Sequence, residues 1–328
     1  MTGLRVTALA GGTGGARFLR GLVAYLAEAR PRSEVTVIGN TADDLMLHGL
    51  HVSPDIDTLM YTLGGGIHEE QGWGRAGESF IVAEELAAYG VQPQWFALGD
   101  RDIATHVVRT QMLGRYSLAE VTAALSRRWL ADLPLPVHLL PMSDGRVETH
   151  VAVRDESGQR RALHFQEWWV RHRASLPAEQ IVLVGIEDAT PAPGVLDALR
   201  EADVVLLAPS NPVVSIGPIL SVPGVRDAVR STAASVVGIS PIIGGRPVRG
   251  MADACLTAIG VETSAVAVAG LFADVLDGWL VDDADAGVVE AVAELGVTCR
   301  AVPLLMRDVP SAAGMAEAAL ALTVEGGA

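Results

Sequence analysis

The chain has 328 residues, half of them hydrophobic and 19% charged, which suits a globular protein with a large core and excludes intrinsic disorder. Its net charge is −15, from 24 basic and 39 acidic residues, so binding to nucleic acid or an anionic membrane would need a local basic patch. Arg160-Arg161 and Arg171-His172-Arg173 are too short to make one, and no lysine is present, which excludes any mechanism built on that residue.

Taken in chain order, residues 4–10 read as an apolar strand and 16–29 as a helix, with Gly11-Gly12-Thr13-Gly14-Gly15 between them and Arg17 just behind. A strand that stops on glycines and opens a helix aims backbone N–H groups and the helix dipole at a phosphate. The turn misses the dinucleotide fingerprint. Arg17 stands where the third glycine belongs, and the next strand, 34–39, ends in Gly39-Asn40-Thr41 without the acid that holds a ribose. A Walker loop would need a lysine. Gly11, Gly12, Thr13, Gly14, Gly15 and Arg17 are therefore read as a phosphate or substrate site rather than a plain tight turn.

Asn40-Thr41-Ala42-Asp43-Asp44 follows the second strand, and Ser53-Pro54-Asp55-Ile56-Asp57 comes next. Ser53 and Pro54 suit the cap and first position of a helix, which accounts for Asp55 as a first-turn acid. Asp57 lies a turn further in, where capping no longer explains it. Carboxylates beside a phosphate loop make sense around a hard cation of the Mg²⁺ type. Asp43, Asp44 and Asp57 are the candidates, with a solvated loop acid the alternative for one of Asp43 and Asp44. Residues 53–130 are mostly helical in pattern, including a capping-box sequence at Ser117-Leu118-Ala119-Glu120. Within them, Leu98-Gly99-Asp100-Arg101-Asp102 opens a helical run. Both acids suit a helix start, whereas Arg101 is misplaced there unless it meets an anion; otherwise it points into solvent.

Short strands with turn signals over 137–165 suggest an antiparallel excursion. Beyond it, 181–185, 203–208, 235–240, 265–271 and 297–303 read as strands, alternating with helices over 194–202, 251–259 and 286–295. This predicts an α/β fold: a Rossmann-like, mostly parallel sheet with helices on both faces. The core would comprise 1–52 and 131–328, with an antiparallel excursion near 137–166 and a mainly helical insertion, 53–130, over the active site. Two more strand ends carry site-like loops, one with Ser210, Asn211 and Ser215, the other with Gly244, Gly245 and Arg246. Each alone reads as an ordinary loop; their recurrence at equivalent positions points to one nucleotide-sized anion. Trp168 and Trp169 read as core or interface, and the histidines show no metal-ligand pairing. Cys255 and Cys299 read as reduced, no leader pattern precedes the first strand, and prolines interrupt the most apolar stretch, about 204–225. A soluble cytoplasmic protein is expected, with no membrane or nucleic-acid partner.

GGTGGARF, NTADD, SPDIDTLMYTLGG, LGDRDIATHVVRT, HFQEWWV, APSNPVVSIGPIL, SPIIGGRPVRG and PLLMRD occur in that order at ordinary spacing. Together they resemble the 2-phospho-L-lactate transferase family (CofD), in particular its actinobacterial FbiA-type members. The resemblance implies a Mg²⁺-dependent, usually homodimeric transferase of deazaflavin coenzyme F(420) biosynthesis. In that family the ribityl hydroxyl of a 7,8-didemethyl-8-hydroxy-5-deazariboflavin precursor attacks the phosphorus nearer a small acid carried on guanosine diphosphate, and GMP leaves. Actinobacterial relatives are associated with an enolpyruvyl rather than a lactyl donor. Carried across residue by residue, the resemblance assigns Asp57 and Arg101 to catalysis and deazaflavin binding, with Asn40 beside them. Gly11 to Gly15 and Ser210 to Ser215 would line the diphosphate, and 244–250 would face the guanosine. Two other classes stay open. Retention of Asp57 and Arg101 speaks against a non-catalytic nucleotide-sugar-binding regulator, and the missing ribose acid against an NAD-dependent oxidoreductase.

Overall fold

In the computed structural model, which describes residues 3–155 and 157–325, the short apolar β-branched runs pair into one seven-stranded sheet. The chain opens with β1 (Arg5–Ala10), α1 (Gly12–Ala29) and β2 (Glu34–Gly39). A ribbon of β3 (Leu45–Leu47) and β4 (Leu50–Val52) leads into α2 (Pro54–Leu63), α3 (Ile81–Ala88), α4 (Asp100–Leu113) and α5 (Leu118–Leu130). Next come β5 (Val137–Pro141), β6 (Glu148–Arg154), β7 (Arg160–His164) and β8 (Ala178–Val184). α6 (Val195–Glu201), β9 (Val204–Leu207), α7 (Gly217–Ser221), α8 (Val225–Ser231) and β10 (Ser235–Ile239) follow. A second ribbon, β11 (Ile242–Ile243) and β12 (Arg246–Pro247), precedes α9 (Ala252–Ala258) and α10 (Ala265–Phe272). The last elements are β13 (Gly278–Val281), α11 (Val289–Ala293), β14 (Thr298–Ala301) and α12 (Val309–Glu325).

The main sheet runs β14-β13-β10-β9-β1-β2-β5, and every neighbouring pair is parallel. Successive side chains along a strand face opposite sides, so each strand feeds two cores. Val6, Ala8, Val204 and Leu206 pack under α1, α2 and α12, whereas Leu9, Val205 and Leu207 pack under α6, α8 and α10. Chain order changes direction between β1 and β9, which places the ligand crevice beyond their carboxyl ends. The expected Rossmann-like architecture is the one observed.

Three readings change. Residues 265–271 form α10 rather than a strand: Ser264 caps it, accepting from the Ala267 N–H at 3.1 Å, and the sheet takes β13 instead. An apolar Val/Ala run cannot be told from a buried strand by periodicity, and the cap was the missed signal. Val137–Pro141 belongs to the parallel sheet, paired with β2. The antiparallel sheet is β7-β6-β8, so the excursion covers 148–184 and takes in the strand read at 181–185. The capping box at Ser117 and Glu120 is present. Asp100 and Glu78 act reciprocally: Asp100 accepts from the N–H groups of Ile81 and Val82 that start α3, and Glu78 from those of Arg101 and Asp102 in α4.

Gly21 is where α1 meets α12; a Cβ there would lie 2.4 Å from carbon atoms of Ala312. Gly21→Val should force the helices apart and cost about 1–3 kcal/mol. Urea denaturation measures this as a lower midpoint at unchanged slope; a wild-type midpoint would refute the close packing.

Candidate active site

The β1–α1 turn and the loop after β9 close on each other at the switch point. Ser210 Oγ accepts from the Gly11 N–H at 3.0 Å and donates to the Gly11 carbonyl at 2.7 Å. A Cβ on Gly11 would lie 2.3 Å from Asp55 Oδ2 and 2.8 Å from Ser215 Cβ, so only glycine fits. Asp55 accepts from Asn40 Nδ2 at 2.9 Å and from Ser215 Oγ at 3.4 Å. Asn40 also donates to the Val214 carbonyl and accepts from the Ala42 N–H. It is fully buried with its amide spent, so it positions Asp55 instead of meeting a substrate. Asn211 Oδ1 accepts from the N–H groups of Val213 and Val214. Ser210, Asn211 and Ser215 thus reach the cleft wall with polar groups already employed in joining the loops.

The cleft so formed measures about 660 Å³. Gly11, Gly12, Thr13, Gly14 and Arg17 line it, together with Asp43, Asp55 and Asp57, while Trp73, Phe96, Phe165 and Trp169 make an apolar wall. Gly15 is buried behind the turn. Trp168 is core, its Nε1 donating to the Leu176 carbonyl at 2.8 Å, but Trp169 faces the cleft, against the core-or-interface reading.

The acids divide by their partners. Asp43 is buried with Oδ1 unpartnered, and burial and the charge of Asp55 hold its carboxyl well above the usual range. Asp55 is pushed up to about 6, chiefly by burial. Asp44 accepts from Ser53 Oγ at 2.7 Å and lies 2.9 Å from His51 Nε2, so Ser53 serves Asp44 and not the α2 cap. Asp57 is held at both oxygens by the buried guanidinium of Arg109, one contact measuring 3.0 Å. Among the described residues no group of three or more His, Cys, Asp or Glu gathers as a metal site. The expected trio Asp43, Asp44 and Asp57 does not gather as such a group; the charge of Asp55 acts on Asp43, and that of Asp44 on both.

Asp102, His106 and Arg109 stand at i, i+4 and i+7, on one face of α4. That spacing is legible in the sequence as one helix face. His106 is pushed down to about 4, mainly by burial, and stays neutral at pH 7. Asp102 lines the cleft, has an unpartnered buried Oδ1, and is raised to about 7 by burial and by the charge of Asp57. Arg101 is not brought to Asp57. Its side chain is exposed beside Gly77, and its main chain is engaged by Glu78 and Arg75. Gly244 and Gly245 form the tip of the β11–β12 ribbon, and Arg246 lines a separate depression of about 480 Å³ with Asp283 and Arg307. The same segment does reach the main cleft, but through Arg249 and Gly250.

Fold and cleft define an α/β protein with a glycine turn and an arginine set against an apolar wall in one crevice. The family described as 2-phospho-L-lactate transferase CofD matches residues 6–299. Phosphoenolpyruvate transferases of Kitasatospora aureofaciens and Thermobifida fusca (strain YX) are both 62% identical, covering 97% and 98% of this chain and 98% of each relative. The phosphoenolpyruvate transferase of Mycolicibacterium smegmatis is 52% identical over 97% of this chain and 98% of its own. A crystal structure of a upf0052 family member from Bacillus halodurans shares the fold, with a TM-score of 0.60 at 20% identity over 98% of this chain and all of that one. The chain belongs to the CofD family and is a transferase of coenzyme F(420) biosynthesis.

Arg109→Ala would leave Asp57 charged and buried without a partner, which should cost about 3–5 kcal/mol. The double variant Asp57→Leu/Arg109→Met should recover most of that stability. Chemical denaturation of the three proteins checks both expectations.

Proposed function

We propose that the enzyme moves a phosphoenolpyruvyl group, or a 2-phospholactyl group, from a guanosine diphosphate-activated donor to the ribityl hydroxyl of the 7,8-didemethyl-8-hydroxy-5-deazariboflavin precursor, releasing GMP. The observation that carries this reading is a single cleft lined by both the glycine turn with Arg17 and an aromatic wall. A diphosphate suits the first, and a planar deazaflavin the second. The close relatives named phosphoenolpyruvate transferase favour the enolpyruvyl donor.

The reaction forms a bond from the ribityl oxygen to the phosphorus beside the small acid and breaks the bond from that phosphorus to the bridging oxygen. The bridging oxygen keeps the electron pair and leaves with GMP. Such a transfer is mostly positioning and charge stabilisation. Asp102 takes the hydroxyl proton, being the cleft carboxylate that titrates near neutrality with a free oxygen. Asp57, fixed by Arg109, stands near Asp102 and helps to raise its pKa. Asp43 and Asp55 would hold Mg²⁺ with substrate oxygens completing its shell; the unpartnered Asp43 oxygen and the mutual repulsion of the two acids fit a cation. When bound, the ion would offset charge developing on the phosphoryl oxygens.

The protein works in the cytoplasm as a homodimer. No helix among the described residues is long and apolar enough to cross a membrane. Self-association is supported by α3, which buries no residue, and by exposed Phe80, Ile81, Val82 and Tyr89.

Mass spectrometry after incubating the precursor and Mg²⁺ with each guanylylated acid should show GMP and a dehydro product with the enolpyruvyl donor. Donor binding without GMP release would instead support a nucleotide-binding regulator. Because Asp102 must be charged to accept a proton, and burial raises its pKa to about 7, turnover should fall as pH drops through about 7. Asp102→Asn should lower kcat by about 10²-fold or more and abolish that limb; a variant that keeps the limb removes Asp102 from the chemistry.

A further inference from the structure

A tight loop, residues 64–77, crosses the glycine turn, closed on itself by the Ile67–Arg75 bridge and by Gly72 N–H donating to the His68 carbonyl at 2.7 Å. It is held from below by its main-chain carbonyls. Thr13 Oγ1 donates to the Gly72 carbonyl at 2.8 Å, Arg17 Nη2 to the Glu69 carbonyl at 3.0 Å, and Arg249 Nη2 to the Gln71 carbonyl. Thr13 and Arg17 share a face of α1. Gly72, at φ +72°, sits so close that a Cβ would lie 2.6 Å from Thr13 Cγ2 and 2.8 Å from Arg249 Nη1.

Arg17 and Arg249 differ from the other cations near the turn. Arg20 is matched by the Glu69 carboxylate at 2.5 Å. Arg17 and Arg249 make no ion pair among the described residues and donate to neutral carbonyls. They are also near enough that burial and the charge of Arg17 together lower the pKa of Arg249. Glu69, paired with Arg20, also feels the charge of Arg17, but among the described residues neither Arg17 nor Arg249 has a carboxylate of its own within ion-pair distance, so two adjoining guanidiniums stand available to an anion.

We propose that Thr13, Arg17 and Arg249 form an anion subsite for a phosphate of the donor, and that the 69–72 strap fills it with carbonyl oxygens until that phosphate arrives. This rests on the transferase reading for the identity of the ligand, and on the contacts alone for the subsite. Phosphate oxygens replace the three carbonyls on the same donors, and the strap lifts from the turn.

The test uses the full chain and inorganic pyrophosphate as probe. Arg249→Gln should weaken pyrophosphate binding about tenfold or more by calorimetry. Amides of 66–76 should exchange hydrogen faster with pyrophosphate than without. Gly72→Ala, which pushes the strap off, should speed their exchange in the free protein and leave pyrophosphate affinity equal or higher. Wild-type affinity in Arg249→Gln, strap exchange indifferent to pyrophosphate, or weaker binding in Gly72→Ala would each overturn the proposal. Absence of product with every guanylylated donor would overturn the reaction assignment while these binding measurements stood.

Discussion

Ser210 satisfies both main-chain groups of Gly11, and Asn40 and Ser215 converge on Asp55 in the same buried volume. The loops after β1, β2 and β9 therefore cannot part without stranding buried donors and acceptors, each costing about 1–3 kcal/mol. Register in the sheet fixes how high each strand end stands, and these bonds fix how the ends face one another. A crevice at a switch point is ordinary in such folds. Here its floor is rigid, because the polar groups that would otherwise flex towards a ligand are tied between loops. That is why the serines and asparagine of the β9 loop serve as structure, while the backbone N–H groups of the turn and Arg17 are left facing the cleft.

On that floor the protein handles buried acids in two ways. Asp57 receives a dedicated counter-charge from Arg109, so its removal would be structural. Asp43, Asp55 and Asp102 are not so paired among the described residues; burial first, and then neighbouring carboxylates, raise all three. Carboxyls raised in this way are the ones whose charge can respond to a neighbouring cation or proton. The fixed charge also helps to create the responsive one, since Asp57 is the leading charged neighbour raising Asp102. Arg109 thereby influences the cleft without lining it.

The fold was legible because parallel strands buried on both faces announce themselves as continuous apolar runs, and the glycine turn marks the first of them. Residues 265–271 misled for the same reason, since an apolar helix of Val and Ala presents the same composition. At the site, Gly11 to Gly14, Arg17, Asp43 and Asp57 line the cleft, a position legible because strand ends locate loops. Partners were not legible. Nothing local reveals that Arg109, fifty-two positions away, takes both oxygens of Asp57, or that Asp55 and not Asp57 stands against Gly11. Arg101 was drawn in by its place at a helix start, yet the site-facing residue of that turn is its neighbour, Asp102. One residue on a helix turns the side chain by about a hundred degrees, enough to exchange cleft for solvent.

The reliance on arginine follows from the same geometry. A guanidinium presents several N–H groups in a fixed plane, so Arg17 and Arg249 keep their orientation whether the acceptor is a carbonyl or a phosphate oxygen. Both acceptors sit at similar distances along the same N–H directions; only the charge differs. A lysine ammonium, compact and strongly hydrated, would bring water to the turn when its partner left, and would have to shed it again. With planar donors, a main-chain loop can cover the glycine turn at little cost in preorganisation, because the directions it holds are those the anion uses.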